Sequence, residues 1–419
     1  MKGYHDKKKG IAITYDDVFL INGARTPFGK LCGTLGLVSP TDLGIYATRA
    51  AIQKSGIKPK DIDQLFYANI GQSSADSYFL PRHIGLYSGI PETIPALMLQ
   101  RICGSGFETI IAGTEQISLG KADSALCGGT ENMTLSPTVS FGNRMGYPLG
   151  KIDFKDMLWE ALNDTAAVPM GCTAENVAVK HGITKNDANE FAKMSIDRYI
   201  AAKKRGFFDD EIVKLNSVIF EVNGLKPRKV NLPKSAVDFC TDENVRPADL
   251  EAMSKLPSVF ARDGVQTAGN SSGIVDGAAS VVVASGNFIK QKGLKPLTRI
   301  VASSTSALDP SVMGLGPVPA IKLLLEVSGL KLSDIGLIEI NEAFAAQFIG
   351  CEKELGLDRN ICNVNGGAIA LGHPLAATGS RISLTLSREM NNRKVKYGIG
   401  SACIGGGQGT AILFENVNM

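Results

Sequence analysis

The sequence predicts an α/β fold of two similar halves that are separated by an insertion. Short apolar segments alternate with longer amphipathic ones, as they do where strands and helices share one sheet. An eight-residue motif recurs toward the two ends of the chain, whereas the stretch between the two copies has a different character. At 419 residues, the chain is long enough for two or three domains with a large core.

The individual elements follow from the spacing of apolar residues. Compact apolar runs predict strands at residues 17–21, 64–70, 124–127, 275–285 and 335–340. Segments with helical periodicity predict helices at residues 41–55, 105–119 and 320–328. Both ends of the chain therefore alternate strands with helices, which is the pattern of an α/β sheet.

The repeated motif predicts that one α/β half is duplicated. Residues 55–62 (SGIKPKDI) resemble residues 328–335 (SGLKLSDI), an offset of 273, and both follow a predicted helix and precede a predicted strand. The same offset brings Cys103 to Ala376, close to His373, and brings the Gly128-Gly129 pair near the glycine run at 405–407. Three features in the same order favour two related halves over a chance match.

The stretch from about residue 132 to residue 273 predicts an insertion. It holds amphipathic helical segments at 174–180 and 185–205 and a turn-rich stretch at 223–234. Loops on a rigid scaffold often carry substrate contacts, so we expect this insertion to bind part of the substrate.

Charge and composition exclude several classes of protein. The 44 basic and 41 acidic residues leave a net charge of +3, and no basic stripe of the kind that follows nucleic acid is present. No apolar run approaches the roughly 20 residues of a membrane helix. The first ten residues are polar and lack the apolar core of a signal peptide. We expect a cytoplasmic protein that binds neither nucleic acid nor membranes.

A histidine in a glycine-rich segment is the main candidate for a base. The chain has four histidines, and His373 lies in the segment GGAIALGHPLAATG at 366–379. Pro374 suits a first helical turn, so we expect His373 at a strand-to-helix turn that faces a pocket. A lone histidine is usually structural, but the surrounding glycines favour a functional role here.

Two of the eight cysteines lie in comparable settings. Cys103 is followed by Gly104 and Gly106 at the start of a predicted helix, where the macrodipole favours a thiolate and nearby N–H groups can stabilise an oxyanion. Cys403 lies in the flexible segment GSACIGGGQG at 400–409. That segment lacks the Lys-Ser/Thr of a phosphate loop. For Cys103 the alternative is a small buried residue at a tight turn, which is common for cysteine.

The two cysteines and the histidine favour covalent acyl transfer through a thioester. Catalytic zinc held by the same Cys₂His set is the competing interpretation. Neither a C-x-x-C pair nor any other short paired ligand motif is present, so we predict acyl transfer, no metal and reduced thiols.

At these residues the sequence resembles the thiolase family. The family's motifs match Cys103-Gly-Ser-Gly106, Asn341-Glu-Ala-Phe344, Gly372-His-Pro374 and Cys403-Ile-Gly-Gly-Gly407. Further similar segments bring the resemblance to nearly the whole chain, from about residue 17 to residue 415; they begin at Asn22, Met170, Thr267 and Met313.

The resemblance implies a fold and a domain organisation. The fold is α/β, with five αβαβα layers built from two similar halves and a loop domain inserted into the first. The corresponding boundaries are residues 1–131 plus 274–294 for the N-terminal half, 132–273 for the loop domain and 295–419 for the C-terminal half. A homodimer or homotetramer is also implied.

The resemblance further implies reversible condensation of two acetyl-CoA molecules to acetoacetyl-CoA and CoA, without a cofactor. Cys103 would attack the thioester while His373 takes its proton, and Cys403 would then remove an α-proton from the second acetyl-CoA. His373 with a water held by Asn341 would form one oxyanion site, and the N–H groups of Cys103 and Gly405 the other. Residues carried over as substrate contacts are Met170, Arg246, Ser272, Met313, Ala343 and Phe344.

Two departures from the family pattern bear on specificity. Pro169 stands where acetyl-specific members commonly have histidine, and Ala376 stands where glycine is usual. A degradative 3-ketoacyl-CoA thiolase of broader or longer chain length is therefore the alternative function. A non-catalytic subunit of a fatty-acid oxidation complex is a third hypothesis, which the complete set of Cys103, Asn341, His373 and Cys403 argues against.

Overall fold

Two sets of strands with the same order form the frame of the molecule in the computed structural model, which describes residues 1–419. The strands are β1 (Lys2–Asp6), β2 (Gly10–Thr14), β3 (Val18–Arg25), β4 (Gly29–Lys30), β5 (Gln64–Ala68), β6 (Ala96–Leu99), β7 (Ser124–Glu131), β8 (Thr138–Val139), β9 (Lys155–Asp156), β10 (Val218–Phe220), β11 (Arg228–Val230), β12 (Val275–Ser285), β13 (Thr298–Ala307), β14 (Leu337–Ile340), β15 (Tyr397–Ile404) and β16 (Gln408–Asn416). The helices are α1 (Pro40–Lys54), α2 (Leu80–Tyr87), α3 (Ser105–Ser118), α4 (Met157–Leu162), α5 (Met170–His181), α6 (Lys185–Lys204), α7 (Leu250–Ser254), α8 (Gly286–Lys292), α9 (Pro317–Ser328), α10 (Ala345–Leu355), α11 (Ala368–Leu371) and α12 (Thr378–Arg393).

The two halves share strand order and strand direction. The N-terminal half runs β3-β12-β7-β5 and the C-terminal half runs β13-β16-β15-β14, with β6 as an extra edge strand of the first. In each half only the last of these pairings, β7 with β5 and β15 with β14, is parallel. A short antiparallel pairing of β3 with β13 joins the two halves into one continuous sheet.

Helices cover both outer faces and fill the centre. Helix α1 packs on β3 and β12, and α9 packs on β13 and β16. Between the two sets of strands, α3 packs on β7 while α12 packs on β15 and against α3. Gly106 allows this close approach, since a Cβ there would lie 2.7 Å from the backbone nitrogen of Ser380. The five-layered α/β fold with two similar halves is thereby confirmed.

The offset seen in the repeated motif extends through the folded halves. Strand β7 begins at Ser124 and β15 at Tyr397, and α3 begins at Ser105 and α12 at Thr378, each 273 positions apart. The motif itself forms a 3₁₀ turn in both copies. In each copy an aspartate, Asp61 or Asp334, accepts a hydrogen bond of 2.8 Å from the backbone N–H three residues earlier.

A segment of loops and helices lies between β7 and β12 and packs against both halves. Helices α5 and α6 of this segment contact α10 of the C-terminal half. On the other side, the fully buried Arg25 of β3 forms ion pairs of 2.7 Å with Glu211 and Asp242. Tyr199 of α6 also donates a hydrogen bond to Asp242, at 2.6 Å. These buried polar contacts hold the segment against the N-terminal half.

Three of the differences between the structure and the predicted elements concern the N-terminus and the segments near the site. The polar N-terminus forms the hairpin β1–β2, which pairs with β13 and was not predicted. Helix α5 begins at Met170, four residues before the predicted start. The expected strand-to-helix turn at His373 is wrong, because helix α11 precedes this residue and α12 begins only at Thr378. A short buried apolar run such as AIAL does not distinguish a strand from a helix.

No helix of the chain has the length and apolar character needed to cross a membrane. The expected location in the cytoplasm stays a prediction.

Candidate active site

The four predicted catalytic side chains come from both halves and meet in the centre. Cys103 lies in the 3₁₀ turn before α3, and Asn341 directly follows β14. His373 lies between α11 and α12, and Cys403 lies near the end of β15. All four are buried.

The turn that carries Cys103 is braced by its neighbours. The Ser105 hydroxyl accepts a hydrogen bond from the backbone N–H of Arg101 and donates to the carbonyl of Ile102, each at 2.7 Å. Ile102 has a φ of 41°, which is rare for a β-branched residue. Such strained backbone is frequent at functional sites, where the surrounding structure holds it in place.

The thiol of Cys103 is protonated in the free protein. Burial raises the pKa of Cys103 to about 11, although the N–H groups of Gly405 and of Cys103 itself lower it. The expectation that the helix start favours a thiolate is therefore wrong for the unliganded site, because the loss of hydration outweighs these donors. A base must accept the proton of Cys103 when it reacts.

His373 has the protonation state that a base requires. Burial, and then the charge of Arg381, lower the pKa of His373 to about 3, so the imidazole is neutral at pH 7. Its Nδ1 lies 2.6 Å from the hydroxyl of Thr378, which itself donates to the carbonyl of Pro374. Because that hydroxyl has only one proton, it accepts from Nδ1–H. The lone pair of Nε2 then faces the site.

Asn341 contacts the same histidine. Its Nδ2 lies 3.3 Å from Nε2 of His373, and its backbone N–H donates to the carbonyl of Ser401 at 2.9 Å. The buried Oδ1 has no donor within the protein, so it can accept a hydrogen bond from a substrate or from water. This geometry suits the predicted oxyanion site.

Cys403 has an apolar environment. It packs with the buried Met313 and Ala343, while Met170 and Phe344 cover the cluster from the side. Burial, followed by the neighbouring Cys103 and Cys351, raises the pKa of Cys403 well above its ordinary value. A thiolate formed there would be a strong base.

The predicted substrate contacts divide into two groups. The first group surrounds Cys403 and consists of Met170, Met313, Ala343 and Phe344. Ser272 adjoins this group, since its N–H donates to the carbonyl of Ala343 at 3.0 Å. Arg246 is exposed and lies apart from the four catalytic residues, on a cavity of about 400 Å³ that Ser271 and Gly273 also line. Gly405 lies beside Met170, in the turn that ends β15.

A second cavity of about 400 Å³ opens beside Ile102, Met170 and Gly406. Sequence reasoning missed its other lining residues, since they come from α4 and from separate loops. They are Ile70, Gly71, Gln100, Met157, Glu160, Ala161, Asn163, Asp164 and Thr165. Sequence reasoning also missed Thr378. The available signal was a hydroxyl residue at the start of a helix, five positions after His373.

Comparisons with known proteins cover nearly the whole chain. The family model described as "Thiolase, N-terminal domain" matches residues 18–287, and "Thiolase, C-terminal domain" matches residues 294–416. The mitochondrial 3-ketoacyl-CoA thiolase of Bos taurus is 44% identical, over 95% of this chain and 98% of its own. An acetyl-CoA acetyltransferase of Cupriavidus necator is 40% identical, over 95% of this chain and 99% of its own. The structure of human mitochondrial 3-ketoacyl-CoA thiolase in complex with CoA superposes with a TM-score of 0.88 at 44% identity, covering 96% of this chain and 98% of that one.

Proposed function

Since this chain belongs to the thiolase family of acyltransferases, we propose that it condenses two acetyl-CoA molecules reversibly to acetoacetyl-CoA and CoA. The observation that carries this proposal is one buried site in which Cys403 interacts with Cys103, and Leu375, two residues after the neutral His373, packs against Cys103. Met170, Met313, Ala343 and Phe344 pack around Cys403, which favours a short acyl chain there.

The first half-reaction acylates Cys103. Nε2 of His373 accepts the thiol proton while Sγ attacks the thioester carbonyl. The oxyanion lies at the N–H groups of Cys103 and Gly405, which already face Sγ. The carbon–sulfur bond to CoA then breaks, and the leaving CoA thiolate takes the proton from His373.

The second half-reaction forms the carbon–carbon bond. Nε2 of His373 next accepts the proton of the Cys403 thiol. The resulting Cys403 thiolate removes an α-proton from a second acetyl-CoA, whose enolate oxygen accepts hydrogen bonds from Nε2–H of His373 and from a water on Asn341. The enolate carbon attacks the acyl carbon on Cys103, and the bond from that carbon to sulfur breaks. Nε2–H of His373 then gives its proton to the released Cys103 thiolate while Cys403 keeps the α-proton, which restores all three groups.

CoA binding is assigned to the predicted contacts. The cavity beside Arg246 suits the polar part of CoA, since a guanidinium binds phosphate well. Ser272, Met313 and Ala343 then guide the pantetheine toward Cys403. No cofactor takes part in this scheme, and we propose a homodimer or homotetramer.

We also propose the three units predicted from the sequence, at 1–131 plus 274–294, 132–273 and 295–419. Support comes from strand β7, which ends at Glu131, and from β12, which begins at Val275 and returns to the first half. The two family models divide between residues 287 and 294, near the predicted start of the C-terminal half.

A degradative 3-ketoacyl-CoA thiolase is the second candidate. Relatives with that name are 44% identical to this chain, and the cavity beside Ile102 and Met170 offers about 400 Å³ for a longer acyl tail. Methionine repacks easily, and one added methylene on the acyl chain changes the binding free energy by only about 1–3 kcal/mol. We therefore expect activity to change gradually with acyl-chain length.

Measuring kcat/KM for thiolysis of 3-ketoacyl-CoA substrates from four to sixteen carbons distinguishes the two candidates. The acetoacetyl hypothesis expects a maximum at four carbons, with five- and six-carbon substrates still used. A maximum at eight carbons or beyond would establish the degradative function instead.

A further inference from the structure

A buried carboxylate beside the site has no part in the reaction scheme above. Glu131 is the last residue of β7 and is 1% exposed. Burying a carboxylate costs free energy unless the carboxylate is hydrogen-bonded. The hydrogen-bond partners of Glu131 therefore explain why the structure tolerates it.

Each oxygen of Glu131 accepts two N–H groups. Oε1 accepts from Gly71 N–H at 2.8 Å and from Asn69 Nδ2 at 3.0 Å. Oε2 accepts from the N–H of Ala376 at 3.1 Å and of Ile70 at 3.2 Å. Three of the four donors are backbone groups, so the side chain fixes main-chain segments.

These main-chain segments belong to the site. Ile70 and Gly71 line the cavity beside the nucleophile turn. Ala376 lies three residues after His373, and its neighbour Leu375 packs against Cys103. Glu131 therefore ties the loop that carries His373 to the wall of the cavity beside Ile102.

The ionised carboxylate also acts on Cys103 through its charge. After burial, Glu131 is the group that raises the pKa of the Cys103 thiol. Burial raises the pKa of Glu131 itself to about 7, its backbone donors lower it, and Asp276 of β12 raises it. Cys403 is the other titratable group that interacts with Cys103.

We propose, on the basis of the thiolase function above, that Glu131 is a positioning residue for the acylation of Cys103. Its two oxygens hold the His373 loop at a fixed place relative to the nucleophile, and its charge keeps the Cys103 proton in place until His373 accepts it. Neither effect requires Glu131 to touch the substrate.

The variant Glu131→Gln tests this proposal. An amide NH₂ would face two of the four N–H donors, so the loop should shift, and the charge behind Cys103 is lost. We expect kcat for thiolysis to fall by about 10²-fold, the scale of a 1 Å misplacement. The rate of Cys103 alkylation by iodoacetamide, followed by mass spectrometry of its peptide, should rise at pH 8 to 10 with a pH midpoint below that of wild type.

Two further variants separate charge from loop position. Glu131→Asp keeps the charge but is too short for all four donors, so it should lose turnover and retain the wild-type alkylation midpoint. Glu175→Gln alters another buried carboxylate, which accepts from the N–H groups of Val265 and Gln266 at 2.8 Å, and should also retain that midpoint.

Wild-type turnover in Glu131→Gln, or an alkylation midpoint unchanged from wild type, would overturn the proposal. Circular dichroism and thermal unfolding establish that each variant is folded. The alkylation profile does not depend on the acyl-CoA used, so it remains informative even if wild type prefers another chain length. Absence of acyl transfer by the wild type with every substrate would instead refute the proposed function.

Discussion

The two halves of the molecule share a frame but carry different chemistry. The turn before α3 presents Cys103, whereas the position related by the repeat, in the loop before α12, is Ala376. There the candidate base is His373, three positions earlier. Asn341 and Cys403 also come from the C-terminal half. A duplicated scaffold therefore carries two related loops, and each loop has a different candidate catalytic residue.

The same contrast extends to the residues that brace these loops. Ser105 and Thr378 occupy related positions, and their hydroxyls donate to Ile102 and Pro374, respectively. At the ends of the related strands β7 and β15, Glu131 reaches the His373 loop through hydrogen bonds, while Ile404 packs on Gly104 of the nucleophile turn. Each half thus supports the loop of the other, one through polar and one through apolar contact.

Removing the nucleophile should have the largest effect. We expect Cys103→Ser to lose turnover by about 10⁴-fold or more, because a neutral hydroxyl is a far weaker nucleophile than a thiolate. Wild type incubated with acetyl-CoA should yield an acetylated peptide containing Cys103, and the exposed-thiol control Cys240→Ser should behave like wild type. Acetylation at another cysteine would contradict the assignment.

Removing the second thiol should separate the half-reactions. Cys403→Ala should still acquire acetyl on Cys103 but lose condensation by about 10²–10⁴-fold, the range for a missing general base. Deuterium exchange at the α-carbon of acetyl-CoA should disappear. Cys362→Ala removes another buried thiol outside the site and should keep exchange. Exchange at the wild-type rate in Cys403→Ala would mean that another group is the base.

The hydroxyls of Ser105 and Thr378, which occupy related positions, allow a direct comparison of the two halves. Thr378→Val removes the acceptor for Nδ1–H of His373, so the ring loses its fixed tautomer, and kcat should fall by about 10²-fold. Ser105→Ala loosens the nucleophile turn but leaves His373 untouched, so the acylation rate should fall less. Single-turnover acylation measures both, and a larger loss for Ser105→Ala would reverse this ranking.

Weakening the apolar contact between Ile404 and Gly104 should have the smallest effect on turnover. Ile404→Val removes one methylene from the contact with Gly104, and the free energy of unfolding should fall by about 1 kcal/mol. Turnover should stay near the wild-type value because no hydrogen bond or charge changes. Denaturant unfolding measures the change in the free energy of unfolding. A drop in kcat comparable with that of Glu131→Gln would show that the Ile404 contact, like the Glu131 hydrogen bonds, acts on catalysis.

Much of the frame was predictable from the sequence, whereas the catalytic roles of Cys103, Asn341, His373 and Cys403 stay predictions. Strand β12 was predicted with its observed bounds because nearly every residue of the strand is buried, which favours a run of mostly small and β-branched apolar residues. The candidates Cys103, His373 and Cys403 lie in glycine-rich segments, and a family motif identifies these three and Asn341, although their convergence depends on pairings across the whole chain.

What escaped prediction depends on environment or on distant partners. The N-terminal hairpin is polar and gains its place by pairing with β13, so no apolar pattern marks it. The state of the Cys103 thiol follows from burial, which sequence neighbours do not report. Glu131 resembles any strand-end glutamate until Ala376, far along the chain, is folded against it.

The position of β12 has a consequence for how the chain is made. This strand lies between β3 and β7, yet it follows the whole inserted segment in the sequence. During synthesis at about 5–20 residues per second, the ribosome needs on the order of ten to thirty seconds to pass from the end of β7 to β12. For that interval β3 and β7 lack their shared partner and present open strand edges. The nascent N-terminal half is therefore the stage at which a chaperone would be needed most.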